Sequence, residues 1–237
     1  MRQHPVASVA DARGLIPLEL RQVRRLLCLG AHCDDIEIGC GGTVLSLIAA
    51  VPDLVVRWVV FTSDPIRRRE ARECAARFLR GCRAEVTILE HRDAFLPYSG
   101  PAVKEEFERL KPFAPDLILT PFRGDAHQDH RLVAELTWNT FRRHLILEYE
   151  IPKYDGDLGA PSVLMPLDPA VAEDKVRHIL ECYKSQADRH WFSRDVFMAL
   201  MRLRAVEAHA GTEHAEAFYA RKLVLGLERG ARPEPAP

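Results

Sequence analysis

Apolar residues along this chain fall into short unbroken runs, separated by longer stretches with helical periodicity. Residues 25–30 (RLLCLG), 54–62 (LVVRWVVFT), 84–89 (AEVTIL), 116–120 (DLILT) and 144–149 (HLILEY) read as buried strands. Between them, 39–50, 66–80, 102–111 and 132–142 read as helices, with Pro52 and Gly81 closing the first two. Strands alternating with helices of this length imply parallel pairing through right-handed crossovers. The expected class is therefore α/β, a three-layer sandwich with a mostly parallel, doubly wound sheet of order 3-2-1-4-5. After Tyr149 the pattern loosens. Residues 149–162 (YEIPKYDGDLGAPS) form a Pro/Gly-rich loop, too long for a plain connector. Helices are expected at 169–186 and 193–207, and a late strand at 218–227. Residues 1–227 read as a single domain, and 228–237 as a disordered tail.

Composition narrows the function classes. The chain has 237 residues, 47% hydrophobic and 28% charged, as in ordinary globular proteins. A net charge of −1 offers no general field for nucleic acid or an anionic membrane. No apolar run reaches membrane-spanning length, and the first 26 residues hold no signal-peptide core. The six cysteines are scattered, with no CxxC pair, which suits reduced thiols and a cytoplasmic location.

The unusual residues sit where the first and fourth strands end. AHCDDIE (31–37) follows the first, and PFRGDAHQDH (121–130) the fourth. In a sheet of this order those strands are neighbours at the topological switch point, where ligands bind outside the carboxyl ends. His32 and Asp35 are three apart, as are His127 and His130, a spacing that puts both side chains on one helix face. Two imidazoles and one carboxylate make a usual catalytic zinc set, with a fourth position left for water whose pKa falls to about 7. A second carboxylate, Asp34, would take the water's proton, and an unligated histidine would stabilise an oxyanion. Taken alone, the Asp pair is as well explained as a helix cap, and HxxH as a surface pair. Gly39, Gly41 and Gly42 fit close helix–sheet packing better than phosphate cradling, since neither GxGxxG nor GK[ST] is present. Cys33, between the candidate ligands, should point away from them.

AHCDDIE together with HQDH resembles the PIG-L/LmbE-like family of metal-dependent N-acetylglucosaminyl deacetylases, whose signatures are AHPDD and HxDH. RDAFLPY (92–98), YEIPKYDG (149–156), CYKSQ (182–186) and AEAFY (215–219) extend the resemblance over most of the chain. It implies a Rossmann-like fold, Zn2+ with Fe2+ as the alternative, and hydrolysis of an N-acetyl sugar or sugar conjugate to acetate and amine. It implies His32, Asp35 and His130 as metal ligands and Asp34 as general base. His127 would stabilise the oxyanion, with Asp129 orienting a histidine. Cys33 stands where the family has proline, the acidic residue after the Asp pair is displaced to Glu37, and a late RG reads Arg204-Ala205.

For substrate contacts one of Arg67, Arg68 and Arg69 at the start of the second helix is a candidate, and the resemblance points to Arg69; Asp93 after the third strand, and Glu150 and Lys153 in the long loop, are the others. Family members form several assemblies, so a homo-oligomer stays open. Three other readings compete: a two-metal phosphoesterase, which wants more carboxylates; a sugar- or nucleotide-binding module without catalysis; and a DxD-type glycosyltransferase, which leaves HQDH unused.

Overall fold

The computed structural model describes residues 18–20, 22–209 and 211–226. Five strands, β1 (Arg25–Gly30), β2 (Val55–Thr62), β3 (Arg83–His91), β4 (Leu117–Pro121) and β5 (Leu145–Tyr149), pair in parallel as 3-2-1-4-5. Two more, β6 (Val163–Leu167) and β7 (His214–Ala220), extend the sheet antiparallel to give β3-β2-β1-β4-β5-β7-β6. The helices are α1 (Asp35–Ala50), α2 (Pro65–Phe78), α3 (Gly100–Leu110), α4 (Gln128–Thr140), α5 (Pro169–Cys182) and α6 (Arg194–Ala208). A single turn of 3-10 helix, Lys184–Gln186, follows α5.

Strand alternation divides the core in two. Leu26 and Cys28 of β1 face the layer of α1, α2, α5 and α6, while Leu27 and Leu29 face α3 and α4. Both faces of the central strands β1, β4 and β5 are covered, which is why they read as unbroken apolar runs, whereas the edge strand β3, expected to be buried, is mostly exposed.

Several elements differ from the sequence reading; α4, for one, begins at Gln128, four residues before the expected Leu132, and α5 ends at Cys182, before the expected Gln186. Helix α1 begins at Asp35, four residues before the expected Gly39, because its glycines weaken the helical signal yet serve the packing. A Cβ on Gly39 would stand 2.1 Å from Tyr149 Cδ2, and one on Gly41 2.6 Å from Phe78 Cε1. Strand β6 was not expected; it lies at the sheet edge, where its Pro166 costs no central ladder bond. The late strand lies at His214–Ala220, meeting the expected 218–227 only at its end. Residue 227 and the tail at 228–237 lie outside the described residues.

The kink in α1 shows how β7 is used. Cys40 has non-helical angles (φ −145°, ψ 15°), which frees backbone groups on either side. Glu216 of β7 accepts from Gly42 N (2.7 Å), Thr43 N (2.7 Å) and Thr43 Oγ1 (2.6 Å). Lys175 of α5 donates to Ile38 O and to Glu216 Oε1, both at 2.7 Å. All six cysteines are free thiols. Among the described residues no helix is long and apolar enough to cross a membrane.

Candidate metal centre

The carboxyl ends of β1 and β4 open into one crevice, and both polar segments meet in it. Beyond β1, Thr62 N and Oγ1 hold Ala31 O (2.9 and 2.8 Å), so the chain turns sharply. His32 N then donates to Asp35 Oδ2 at 2.7 Å. Beyond β4, His127 caps α4, its Nδ1 accepting from Asp129 N at 3.2 Å. The three imidazoles of His32, His127 and His130 gather with ring centroids 4.7–5.0 Å apart.

Hydrogen bonds behind the rings fix which nitrogens carry protons. His130 Nδ1 lies 2.9 Å from Asp125 Oδ2, and His32 Nε2 lies 3.0 Å from Asp93 Oδ1 and 3.3 Å from Asp129 Oδ2. Those nitrogens therefore donate, and the opposite ones, His32 Nδ1 and His130 Nε2, present lone pairs when the rings are neutral. They face each other at 3.0 Å, with Asp35 Oδ2 3.5 Å from the first and 3.3 Å from the second. Around a tetrahedral zinc, neighbouring N/O ligand atoms stand about 3.3–3.5 Å apart. Three lone pairs converging on one point at that spacing fit a divalent cation.

Protonation follows the same geometry. Burial works to lower the His130 pKa, but Asp35 and Asp125 outweigh it and raise it to about 9. His32 is likewise raised well above its ordinary value against burial, by Asp35 first. Burial disfavours the Asp35 carboxylate, yet His130 and His32 hold its pKa well below the usual range. His127 is shifted down by burial and by the other two rings, so it is neutral at pH 7. With Nδ1 accepting from the cap amide, its proton sits on Nε2. Burial pushes the Cys33 thiol up, and its Sγ donates to Thr62 O (3.4 Å), so a thiolate ligand or nucleophile is disfavoured there.

Asp34 and Arg67 form the other half of the centre. Asp34 is 5% exposed, and Arg67 Nη2 lies 2.7 Å from its Oδ1. That contact is an ion pair set off-line for a hydrogen bond, and among the described residues the buried Arg67 Nε and Nη2 have no hydrogen-bond partner. Asp129 accepts from Ala94 N and Leu96 N (2.8 and 3.2 Å) as well as meeting His32, so it fastens the loop after β3 to the centre.

The substrate candidates part company. Asp93 and Lys153 line the crevice. Arg69 does not: at 100° per residue it stands on the opposite face of α2 from Arg67, which does. Glu150 is buried and takes a bidentate pair from Arg204 Nε and Nη2 (2.6 and 2.7 Å), joining the long loop to α6. Sequence reasoning passed over Asp125, although it lies in the GDAHQDH run. It accepts from His127 N, His130 Nδ1 and Lys153 Nζ.

Comparison with known proteins agrees with this geometry. Residues 27–141 match the family model described as PIG-L, GlcNAc-PI de-N-acetylase. The chain is similar in structure to N,N'-diacetylchitobiose deacetylase from Pyrococcus horikoshii, with TM-score 0.67 and 22% identity over 84% of each chain. It is similar to the zinc-inhibited form of a teicoplanin deacetylase, with TM-score 0.62 and 13% identity over 83% of this chain and 97% of that one. It is also similar to a 4-carboxy-2-hydroxymuconate hydratase from Pseudomonas putida, with TM-score 0.70 and 14% identity over 87% of this chain and 100% of that one. Deacetylases and a hydratase share this fold, so the fold does not select the reaction. The matched segment, 115 of the 237 residues, runs from β1 through α4 and spans both strand ends that build the centre, so the similarity to the PIG-L family covers the centre itself.

Proposed function

We propose that the protein is a zinc-dependent N-deacetylase that hydrolyses an N-acetylated sugar or sugar conjugate to acetate and the free amine. The observation that carries this is the convergence of His32 Nδ1, His130 Nε2 and Asp35 Oδ2, with Asp34 and His127 beside them. Those three atoms would hold a divalent cation, which would supply Lewis-acid polarisation and make a water acidic enough to lose a proton near pH 7, at a pKa of about 7. The chain supplies the rest. Asp34 is fixed through Oδ1 by Arg67, has no partner at Oδ2 among the described residues, and would take the water's proton there. His127 donates from Nε2 to the carbonyl oxygen as negative charge develops on it. Oxygen adds to the acyl carbon, the C–N bond breaks, and the proton held by Asp34 leaves with the amine.

The crevice has two lobes meeting at His32, Arg67 and Asp93. The larger, of about 320 Å³, extends past Thr62 and Arg92. Arg67 as donor and Asp93 as acceptor suit vicinal sugar hydroxyls there. The deacetylases among the structural relatives support the N-acetyl substrate class.

Metal content per chain by elemental mass spectrometry, for wild type and His130→Ala, tests the centre, and acetate release from a panel of N-acetyl sugars tests the reaction. About one zinc per chain, lost in the variant, together with acetate formation is expected. A wild type that takes up no divalent metal, or that loads zinc and releases no acetate from any member, overturns the reading.

A further inference from the structure

Behind the wall of the crevice, helices α2 and α5 bring two thiols together. Glu70, Arg77 and Phe78 bracket Cys74 on α2. Their partners across the interface are Ser185, Glu181 and His178, which bracket Cys182. Cys74 Sγ lies 3.8 Å from His178 O, the carbonyl one helical turn before Cys182, and the Cys74 thiol donates to the Cys182 sulfur. Cys74 is fully buried. Cys182, in the last turn of α5, is 3% exposed.

The two sulfurs differ in character. Burial holds Cys74 as a thiol. Cys182 accepts from Cys74 and has the Arg77 guanidinium nearby, and these two lower its pKa against burial. It is the one cysteine of the six shifted in that direction, since burial raises the other five. A sulfur poised to ionise, with a second thiol in contact, suits oxidation to a sulfenic acid that its neighbour resolves. We propose that Cys74 and Cys182 are a peroxide-sensitive pair that closes into a disulfide between α2 and α5, and that closing it slows the reaction in the crevice. The Cys182 thiolate attacks the O–O bond of hydrogen peroxide, an S–O bond forms, and hydroxide leaves. The Cys74 sulfur then attacks the sulfenic sulfur, the S–S bond forms, the S–O bond breaks, and hydroxide leaves with the Cys74 proton as water. Two thiols lose two electrons, and one peroxide takes them up.

Closure draws the sulfurs from hydrogen-bond contact to covalent distance, so both helices must adjust. Tyr183, next to Cys182, donates to Glu37 Oε1 at 2.6 Å in the first turn of α1, beside the centre. Ser185 is held by Glu70, and Gln186 lines the crevice. On the other side of the bond, α2 carries Arg67, the partner of Asp34. The effect on rate rests on the deacetylase reading; the disulfide does not.

The test uses zinc-loaded full-length protein, reduced with a phosphine and then exposed to hydrogen peroxide. The intact mass is expected to fall by two hydrogens, and peptide mapping after alkylation to join Cys74 to Cys182. Acetate release from an N-acetyl sugar falls about tenfold or more, as small misplacements at a reacting centre do, and the phosphine restores it. Cys74→Ala and Cys182→Ala, checked by melting temperature, keep the reduced rate and are insensitive to peroxide. Cys74→Ala also leaves a Cys182 sulfenic acid that dimedone traps. The wild-type mapping stands even if a variant fails to fold. Four outcomes overturn the proposal: no disulfide, a disulfide between other cysteines, the Cys74–Cys182 disulfide with an unchanged rate, or a loss of rate that survives in both variants. Reduced protein that releases no acetate from any sugar sinks the deacetylase reading alone. Hydrogen exchange over residues 183–191, expected to change on oxidation, then decides whether the bond reaches the crevice.

Discussion

Asp125→Asn should weaken zinc binding although Asp125 is not one of the proposed ligands. Its Oδ2 accepts from His130 Nδ1 (2.9 Å) and Lys153 Nζ (2.9 Å), and its Oδ1 from His127 N (2.7 Å). All three partners are donors, and an asparagine has one oxygen to offer. If that oxygen faces His127 N, the amide NH2 meets His130 Nδ1. The ring then moves its proton to Nε2, and the lone pair that faces His32 and Asp35 is lost. If the oxygen faces His130, the NH2 meets the His127 amide and disturbs the cap of α4. The lost interaction is a buried charge-assisted hydrogen bond, about 1.5–3 kcal/mol. At 1.4 kcal/mol per decade that is about 10–100-fold in affinity, the range found when the partner of a metal-bound histidine is removed. A competition titration against a chromophoric chelator measures it. Asp157→Asn is the control, since Asp157 shares Lys153 but does not touch His130. Equal zinc affinity in Asp125→Asn and wild type, or an equal loss in Asp157→Asn, would refute the claim that Asp125 sets the His130 tautomer.

Three further outcomes are expected. His127→Ala should lower kcat on an N-acetyl sugar by about 10²–10³ while zinc content stays at the wild-type level; loss of the metal instead would make His127 a ligand. Gly39→Ala should cost at least about 1–3 kcal/mol in urea unfolding, because Tyr149, fully buried and donating to Leu29 O at 2.6 Å, cannot swing aside; an unchanged midpoint would reopen the phosphate-cradle role of these glycines. Glu216→Gln should cost about 3–5 kcal/mol by the same measurement, since it leaves Lys175, 2% exposed, without its counter-charge, and a loss under about 1 kcal/mol would contradict that account of the α1 kink.

The central parallel strands were legible because burial on both faces spells them largely in apolar letters, while the mostly exposed edge strand β3 showed only through Val86, Ile88 and Leu89, and their order brought AHCDDIE and HQDH to one crevice. Strand β7 was misplaced for the opposite reason. His214-Ala-Glu-Ala alternates small and polar residues, and its inward Glu216 is charged because it caps a kink far away in sequence. That partner depends on α1 breaking at Cys40, which no local periodicity announces. Arg67 was hidden by phase. Three consecutive arginines look alike until Asp64 caps α2, through Ile66 N and Arg67 N, and sets which one faces Asp34. Glu150 looked like a rim residue because its loop leaves the carboxyl edge of β5. Only the packing of α6 reveals Arg204 as its partner.

The charge inventory of the centre explains the raised imidazoles and why the centre fits a dication. Asp34, Asp35, Asp93, Asp125 and Asp129 meet around the three rings, and four of these carboxylates are buried. Arg67 offsets Asp34, and Lys153, shared with Asp157, offsets part of Asp125, so at least three negative charges remain, of which Asp93, 67% exposed, is the one that water screens. Protons on His32 and His130 remove two of them, which is the physical content of their raised pKa values. A dication with both rings neutral removes the same two. Cation and protons are therefore alternatives at one site, and zinc must displace protons to bind. Both pKa values lie above the ordinary 6.5, so the protons are held through neutral pH, and His130 releases its own only as pH climbs toward about 9. Zinc affinity should accordingly rise steadily from pH 6 to pH 8, and more steeply than one imidazole titrating at its ordinary value would allow. Competition titrations at the two pH values measure this, and a flat affinity across the interval would mean that these nitrogens are not where the metal binds.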